Sequence, residues 1–562
     1  MLWSQSDDSQ QRMRALKRIR TLIWDHPVLW VIVGIPLFVV LSRLPFNSWN
    51  VEILIARNIL NGYGFVAAPL DPPALWRPPL TVAVLLPIQL LVHNPKSIYA
   101  DFGALTLVGF LVSLFYLMRT LGGKVAAHFS QLIVLATPAF TMLVNRQLQL
   151  LSYLLLFSLV TLSILTTLWS WQRQSWRRDL LAGLCWGIAF LARPEAILLF
   201  AVSLFAGLAF FRSLGTARNR AALRFVLQLA AFLVIYEPSV RTFQALQKRY
   251  NLVGQEPLIT YYAGARFAIN QLEGDPDGSG YLESVQRFGG PEKYHNSLIR
   301  FMIAHPQAIL VRIGQNLSNF KTAVLSRRLF NVWDCFMFLA FASILVFARP
   351  PSIPERTLLA YMTLLLMASP YFLVFHLDIR YSLLFVVILV LWISVTALVF
   401  WTWVGSRFRS SGAGKWLLVL PTIGLAVLCA IRLDTAIATA RNEMVDLTPW
   451  RQLATSFRAN VGPEGTPVVS FFAPDGTDNS GGDFLWFSYF ARTAMPWCGD
   501  PNCDAGNIFP RGRIYSFLGK PTEYLWTTDE LAPKITRPHQ VIVQHVAVTN
   551  IGSYSLVKLA SN

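Results

Sequence analysis

Apolar residues in this chain run in long blocks rather than in the period of a surface helix or strand. Blocks long enough, or nearly long enough, to cross about 30 Å of hydrocarbon begin near Pro27, Ile98, Val125, Leu148, Asp179, Glu195, Ala222, Phe330, Thr357, Tyr381 and Trp416. The pattern predicts about eleven spans. A further block from Pro79 to His93 is short and contains Pro87, which favours an interfacial or re-entrant helix over a crossing. Before it, "FNSWNVEILIARNILNGYGF" (Phe46 to Phe65) has the spacing of a short amphipathic helix that ends at Asn61-Gly62.

Polar intervals give the blocks a direction. If Pro79 to His93 does not cross, the intervals that share a side with the basic amino terminus hold Arg119 and Lys124; Arg173, Arg177 and Arg178; and Arg212, Arg218, Arg220 and Arg224. They also hold Arg349 with Arg356, and Arg407, Arg409 and Lys415. That is the cytoplasmic excess of Lys and Arg expected of an inner or plasma membrane protein. It leaves three parts outside: 47–78, 241–329 and everything after about residue 433. The chain then divides into a cytoplasmic basic segment (1–26), a membrane domain (27–432) and an extracytoplasmic cap (433–562). Within the cap "WRQLATSFRANV" has helical spacing, and "PVVSFFA", "RIYSFL", "HQVIVQHVAV" and "YSLVKLA" read as short strands. The expected architecture is an all-α polytopic membrane protein with interfacial helices and a small C-terminal α/β domain.

Composition supports the membrane reading. Of 562 residues, 54% are hydrophobic and 14% charged, with a mean hydropathy of +0.46, well away from the charged share of about a quarter in soluble domains. The net charge of +18 is accounted for by the inner loops, so nucleic acid is not an expected partner. Arg12, Arg14, Lys17, Arg18 and Arg20 resemble the start of a signal peptide, but no small-residue cleavage site follows the first apolar run, which is read as a retained span. Cys185, Cys335 and Cys429 lie in apolar runs. Cys498 and Cys503, in "CGDPNC", either close a small disulfide loop or stay as two thiols.

Candidate chemistry lies at the outer ends. Arg77 in "WRPPL", Arg193 in "LARPEA", Arg241 in "EPSVRTF" and Arg380 in "HLDIRYS" stand where the charge rule expects few arginines. A planar guanidinium at the bilayer edge suits the phosphate of a lipid whose tail stays in hydrocarbon. The competing reading is that each pairs with Glu195, Glu237 or Asp378. A base for a transfer reaction has to be a carboxylate here: Glu52, the one acid in the first-loop helix, or Asp71 beyond it. Glu52 has a blander alternative as a solvated residue paired with Arg57. His93, His376 and Asp378 have no recognised ligand spacing, so no cofactor is expected with confidence and a divalent metal stays an open alternative. There is no P-loop, no dinucleotide fingerprint, and "GGDF" at 481–484 has no cyclase context.

In their order these segments resemble a GT-C glycosyltransferase of the polyprenyl-phosphate-sugar-dependent kind, the group of protein O-mannosyltransferases and lipid A aminoarabinose transferases. The resemblance spans about 27–404. It rests on "ARNILNGYGF" with "WRPPL", "LAGLCWGIAFLARPEA", "EPSVRTFQALQKRYNLVGQEPLIT", "YAGARFAINQLEGDPDGSGY" and "HLDIRYSLLFVVIL" with its Arg380-Tyr381 pair. It implies a bundle of eleven to thirteen spans, a first loop with interfacial helices and a catalytic acid, and transfer of a sugar from an undecaprenyl- or dolichyl-phosphate carrier. The acceptor would be a lipid, glycan or protein at the outer face, and the transfer usually inverting. Arg77, Arg193, Arg241, Arg380 and Tyr381 would hold the carrier phosphate. Two positions depart from the pattern. The first-loop aspartate falls on Asn47, Ser48 or Asn50, and a second acid on Gln147 or Gln149; an amide is no general base at neutral pH. Three hypotheses therefore remain: a transferase with Glu52 as base and Asp71 in reserve, a non-catalytic relative that binds lipid-linked sugar and works with a partner, and a transporter of lipid-linked sugars. The last lacks paired broken helices in repeated halves.

Overall fold

The computed structural model describes residues 25–33, 51–136 apart from 68, 70–72 and 76, 151–250 apart from 214–217, 264–272, 281–323, 353–370 apart from 354, and scattered positions between 384 and 396. In the C-terminal part it describes 448–494 apart from 463–464 and 473–482, 523–535 apart from 531, 538–548 and 552–560. The expected spans near Phe330 and Trp416, the strand at "RIYSFL", and Cys335, Cys429, Cys498 and Cys503 lie outside these residues.

The first loop forms α1 (Val51–Leu60) and α2 (Pro79–Leu91). Next is α3 (Pro95–Ala136), interrupted at Gly123, whose φ of 82° is open only to glycine without strain. That break separates the two blocks expected at Ile98 and Val125. The membrane part continues with α4 (Leu151–Arg173), α5 (Trp176–Ala192), α6 (Ala196–Ser213) and α7 (Arg218–Arg249). Three helices among the described residues are long and apolar enough to cross a membrane: Ser97–Lys124, Ser152–Arg173 and Asn219–Arg249. Some polar side chains inside them bond to the preceding turn, as Ser163 does on the Leu159 carbonyl (2.7 Å) and Thr167 on that of Ser163 (2.7 Å). This is what hydroxyls need where water is absent.

Helix α7 passes straight through Pro238 and Arg241 to Arg249, so the outer interval expected to start at Arg241 begins within this helix. A proline removes one bond and does not by itself end a helix whose other residues favour continuing. The rest of that interval is not an open loop. Helices α8 (Ala265–Leu272), α9 (Tyr281–Phe288), α10 (Leu298–Ala304) and α11 (Pro306–Ala323) gather around Ala268, Ile269, Phe288, Tyr294 and Phe301. A later helix, α12 (Glu355–Ala368), packs on α6, and Tyr361 shares a hydrogen bond of 2.7 Å with Ser203.

Close approach of α5 and α7 depends on small residues four apart. A Cβ on Gly183 would collide with the Gln228 carbonyl oxygen and come 2.8 Å from the Ala231 Cβ, and one on Gly187 would lie 3.0 Å from Ile235. This is the small-xxx-small means of helix association. Gly183→Ala is expected to cost about 1–3 kcal/mol, seen as a lower thermal midpoint in detergent. Gly314→Ala, on α11 with nothing within 4 Å, should hold or raise the midpoint.

The cap mixes helix and sheet. Helix α13 (Thr448–Val461) and α14 (Asp483–Ala491) pack together beside a four-stranded sheet of β1 (Val469–Phe472), β2 (Tyr524–Thr528), β3 (His539–Val548) and β4 (Gly552–Leu559) in the order β1-β2-β4-β3. The β1–β2 pair is parallel and the other two are antiparallel. Phe457 sits between Phe487 and Tyr524, with ring centroids 5.6 Å away in each case, and closes the apolar centre between helices and sheet.

Candidate active site at the first loop

Helix α1 ends as its sequence suggests. The Asn61 N–H bonds back to the Arg57 carbonyl, and Gly62 takes a φ of 84°. The Asn58 side chain then donates to the carbonyls of Val66 and Ala67, both at 3.0 Å, and folds the following chain back along the helix. Ala74 N–H reaches the Phe65 carbonyl at 2.8 Å, and Arg77 N–H that of Ala74 at 3.0 Å, so the chain at Arg77 returns beside α1. Pro78 and Pro79 start α2, whose Gln89 side chain donates to the Ile53 carbonyl at 2.8 Å and clamps the two helices together.

This folding brings Glu52 and Arg77 into contact: Nη1 of Arg77 donates to Oε1 of Glu52 at 3.2 Å. Glu52 is 3% exposed. It is therefore neither a solvated residue nor the partner of Arg57, the blander reading of the sequence. Residues 51–56 are all buried, and α2 packs along α1. The pair uses one carboxylate oxygen. The other carboxylate oxygen, Oε2, takes no part in this contact.

The other candidate arginines are arranged differently. Arg193 follows α5 and is held by Glu195, Nε to Oε1 at 3.0 Å and Nη2 to Oε1 at 2.6 Å, while Nη2 also donates to the Tyr153 hydroxyl at 2.6 Å. Its guanidinium lies 4.2 Å from the Tyr153 ring centroid. This is an anchored, buried group. Arg241 pairs with Glu237 one turn back at 2.8 Å, but both side chains are exposed, at 76% and 48%. An exposed pair of this spacing is worth about 0.3–0.5 kcal/mol, so an incoming phosphate can displace it. Asn47, Asn50, Asp71, Gln149, Arg380 and Tyr381 lie outside the described residues. His93 is exposed, and no group of three or more His, Cys, Asp or Glu gathers among the described residues.

Sequence reasoning missed the strongest polar cluster. Asp179, in the first turn of α5, accepts from Arg224 Nε at 2.9 Å and Nη2 at 3.1 Å, from Gln228 Nε2 at 3.2 Å, and from the Ser170 hydroxyl. All four residues are buried. The cluster ties α4, α5 and α7 together at the end of α5 away from Arg193, about 20 Å along its axis. The available signal was an acid at the start of an apolar block, with an arginine a turn inside another.

Residues 77–240, under a third of the chain, match a family model described as dolichyl-phosphate-mannose-protein mannosyltransferase. That stretch carries Arg77, the Arg193 anchor and the Asp179 cluster. No curated protein matches the chain by sequence. Among solved structures, ArnT from Cupriavidus metallidurans bound to undecaprenyl phosphate superposes with a TM-score of 0.56 over 95% of this chain and 98% of that one, at 14% identity. The fold is GT-C. An oligosaccharyltransferase of Archaeoglobus fulgidus, in complex with zinc and sulfate, also matches, with a TM-score of 0.50 and 15% identity over 89% of this chain and 68% of that one. In this GT-C chain, the first loop with its paired Glu52 and Arg77 is the segment to which the family resemblance assigned the catalytic acid.

Proposed function

We propose that this protein is an integral membrane glycosyltransferase that moves a sugar from a polyprenyl-phosphate carrier to a lipid, glycan or protein acceptor at the outer face, with the amino terminus cytoplasmic and the cap outside. The observation that carries this reading is the Glu52–Arg77 contact in the first loop of a GT-C fold. Glu52 Oε2 takes the proton of an acceptor hydroxyl. The hydroxyl oxygen bonds to the anomeric carbon as the bond from that carbon to the carrier phosphate breaks, and the phosphate leaves with the electron pair. Attack opposite the leaving group inverts the anomeric centre. Asp71 is the reserve base.

Arginines balance the charge that grows on the phosphate. Arg241, exposed and weakly paired, is the first ligand assigned to the carrier, with Arg380 and Tyr381 beside it and Arg77 next to the base. Arg193, already bound to Glu195 and Tyr153, orients the junction of α5 and α6. Arg241→Ala is expected to weaken binding of an undecaprenyl phosphate probe by about tenfold or more, the effect of losing one charge-assisted bond of 1.5–3 kcal/mol, while the thermal midpoint stays put.

The test of the activity is turnover. Purified protein reconstituted with a panel of polyprenyl-phosphate sugars should release free carrier phosphate when extracts containing acceptor are added, and the lipid that copurifies should be identified by mass. A silent panel together with firm carrier binding overturns the enzyme and supports the non-catalytic reading. The amides at Asn47 and Asn50 favour that alternative.

A further inference from the structure

Helix α1 meets the cap on a different face from the one that meets Arg77. Residues 52 and 57 are five apart, so their side chains leave the helix about 140° from each other and about 8 Å apart along its axis. On the second face the Arg57 guanidinium lies 4.0 Å from the Tyr489 ring centroid, and the Tyr489 hydroxyl reaches the His93 carbonyl at 3.4 Å. Between α1 and α14 is a shallow cleft open to solvent, with enclosed room for only about one water, lined by Arg57, Asn58, Asn61, Ser488, Tyr489 and Arg492.

Several cations gather at this cleft. Arg458 on α13 donates to the Arg492 carbonyl at 3.2 Å, and Arg451 lies over the Phe490 ring at 5.2 Å. No carboxylate among the described residues pairs with Arg57, Arg451, Arg458 or Arg492. Burial, and after it the charge of Arg492, push the Arg458 guanidinium below its ordinary value. Like charges brought together repel.

Backbone conformation points the same way. Arg492 follows α14, its N–H closing on the Ser488 carbonyl at 2.8 Å, with a φ of 55°. Glycine or asparagine is the usual residue in that left-handed position after a helix. A long cation is kept where glycine would be easier, and such outliers gather at functional sites.

We propose that the cleft between α1 and α14 binds a phosphate-bearing group, with Arg57 and Arg492 as its direct ligands and Arg451 and Arg458 supplying the surrounding positive field. Guanidinium forks match phosphate oxygens in pairs. On the transfer reading, on which this last step rests, the group belongs to the acceptor: the cleft anchors its anion on one face of α1 while Glu52 on another takes the proton. The acceptor is then an anionic lipid or a phosphorylated glycan.

The full chain in nanodiscs of phosphatidylcholine, titrated calorimetrically with inorganic pyrophosphate, should show saturable binding. Arg57→Gln or Arg492→Gly should each weaken it by about tenfold or more. Arg492→Gly should also melt at or above the parent midpoint, because glycine relieves the left-handed residue. Unchanged binding in both variants overturns the proposal. A lower midpoint in Arg492→Gly also overturns it, by making that arginine structural. Nanodiscs containing phosphatidic acid separate the sources: pyrophosphate excluded by the lipid identifies a lipid headgroup, and pyrophosphate bound regardless identifies a soluble phosphorylated glycan. Glu52→Gln should leave pyrophosphate binding intact. A protein that binds pyrophosphate through these arginines but transfers no sugar keeps the anion site and loses only its assignment to an acceptor.

Discussion

Glu52→Gln is expected to reduce sugar transfer by about 10²–10⁴-fold, the range for loss of a positioned base, with carrier binding retained. The amide keeps the shape of the carboxylate and an oxygen that can accept from Arg77 Nη1, now 3.2 Å from Oε1, but it cannot take a proton. The fold should hold, since α1 is secured by other means: the Gln89 bond to Ile53, the Asn58 bonds to Val66 and Ala67, and burial of residues 51–56. Release of carrier phosphate in single turnovers, measured beside binding of the carrier, separates the two effects. Turnover equal to that of the parent would remove Glu52 from the mechanism and move attention to Asp71. Arg77→Ala is a different experiment: it leaves the buried Glu52 without its partner, so it should lower stability and activity together.

Breaking the Asp179 cluster should have the largest effect on stability. Asp179→Ala or Arg224→Ala alone strands a buried charge, which costs about 3–5 kcal/mol against a total of about 5–15 kcal/mol. The Asp179→Leu/Arg224→Met double variant should recover most of that loss, because apolar residues of similar volume avoid the desolvation of two ions. Unfolding midpoints in one detergent, taken as a double-mutant cycle, give the coupling directly. Single variants within about 0.5 kcal/mol of the parent, the scatter of ordinary surface changes, would show that Ser170 and Gln228 satisfy either ion unaided. Transfer by the double variant should persist, since the cluster stands at the opposite end of α5 from Arg193.

The contrast between these residues shows what a linear reading can see. Glu52 was conspicuous as a lone acid in an apolar helix, and Arg77 as an arginine in a segment that charge topology would leave without one. Their contact was invisible, because it depends on the turn after Asn58, where an amide binds two carbonyls and brings the chain back. Asp179 was passed over as the mere edge of a span: its partners Ser170, Arg224 and Gln228 come from two other helices, and no local pattern ties them together. In the cap, β1, β3 and β4 were legible from β-branched runs between turn residues, whereas "YLWTT" of β2 is too short to stand out and becomes a strand by pairing with β1 and β4.

By itself the sequence determined that the chain lives in a bilayer, where its long helices lie and which intervals are basic. Hydrocarbon enforces this residue by residue: each apolar block is selected by its own transfer free energy, and each backbone group has to be satisfied within its own helix. Only the tertiary structure decided which arginine meets which acid. It made Arg193 an anchor and left Arg241 loosely paired, set Glu52 against Arg77, and placed Arg492 of the cap beside α1. Those outcomes depend on a few ångströms between elements far apart in the chain, over which an ion pair changes from a solvated contact of little value to a buried and strongly coupled one.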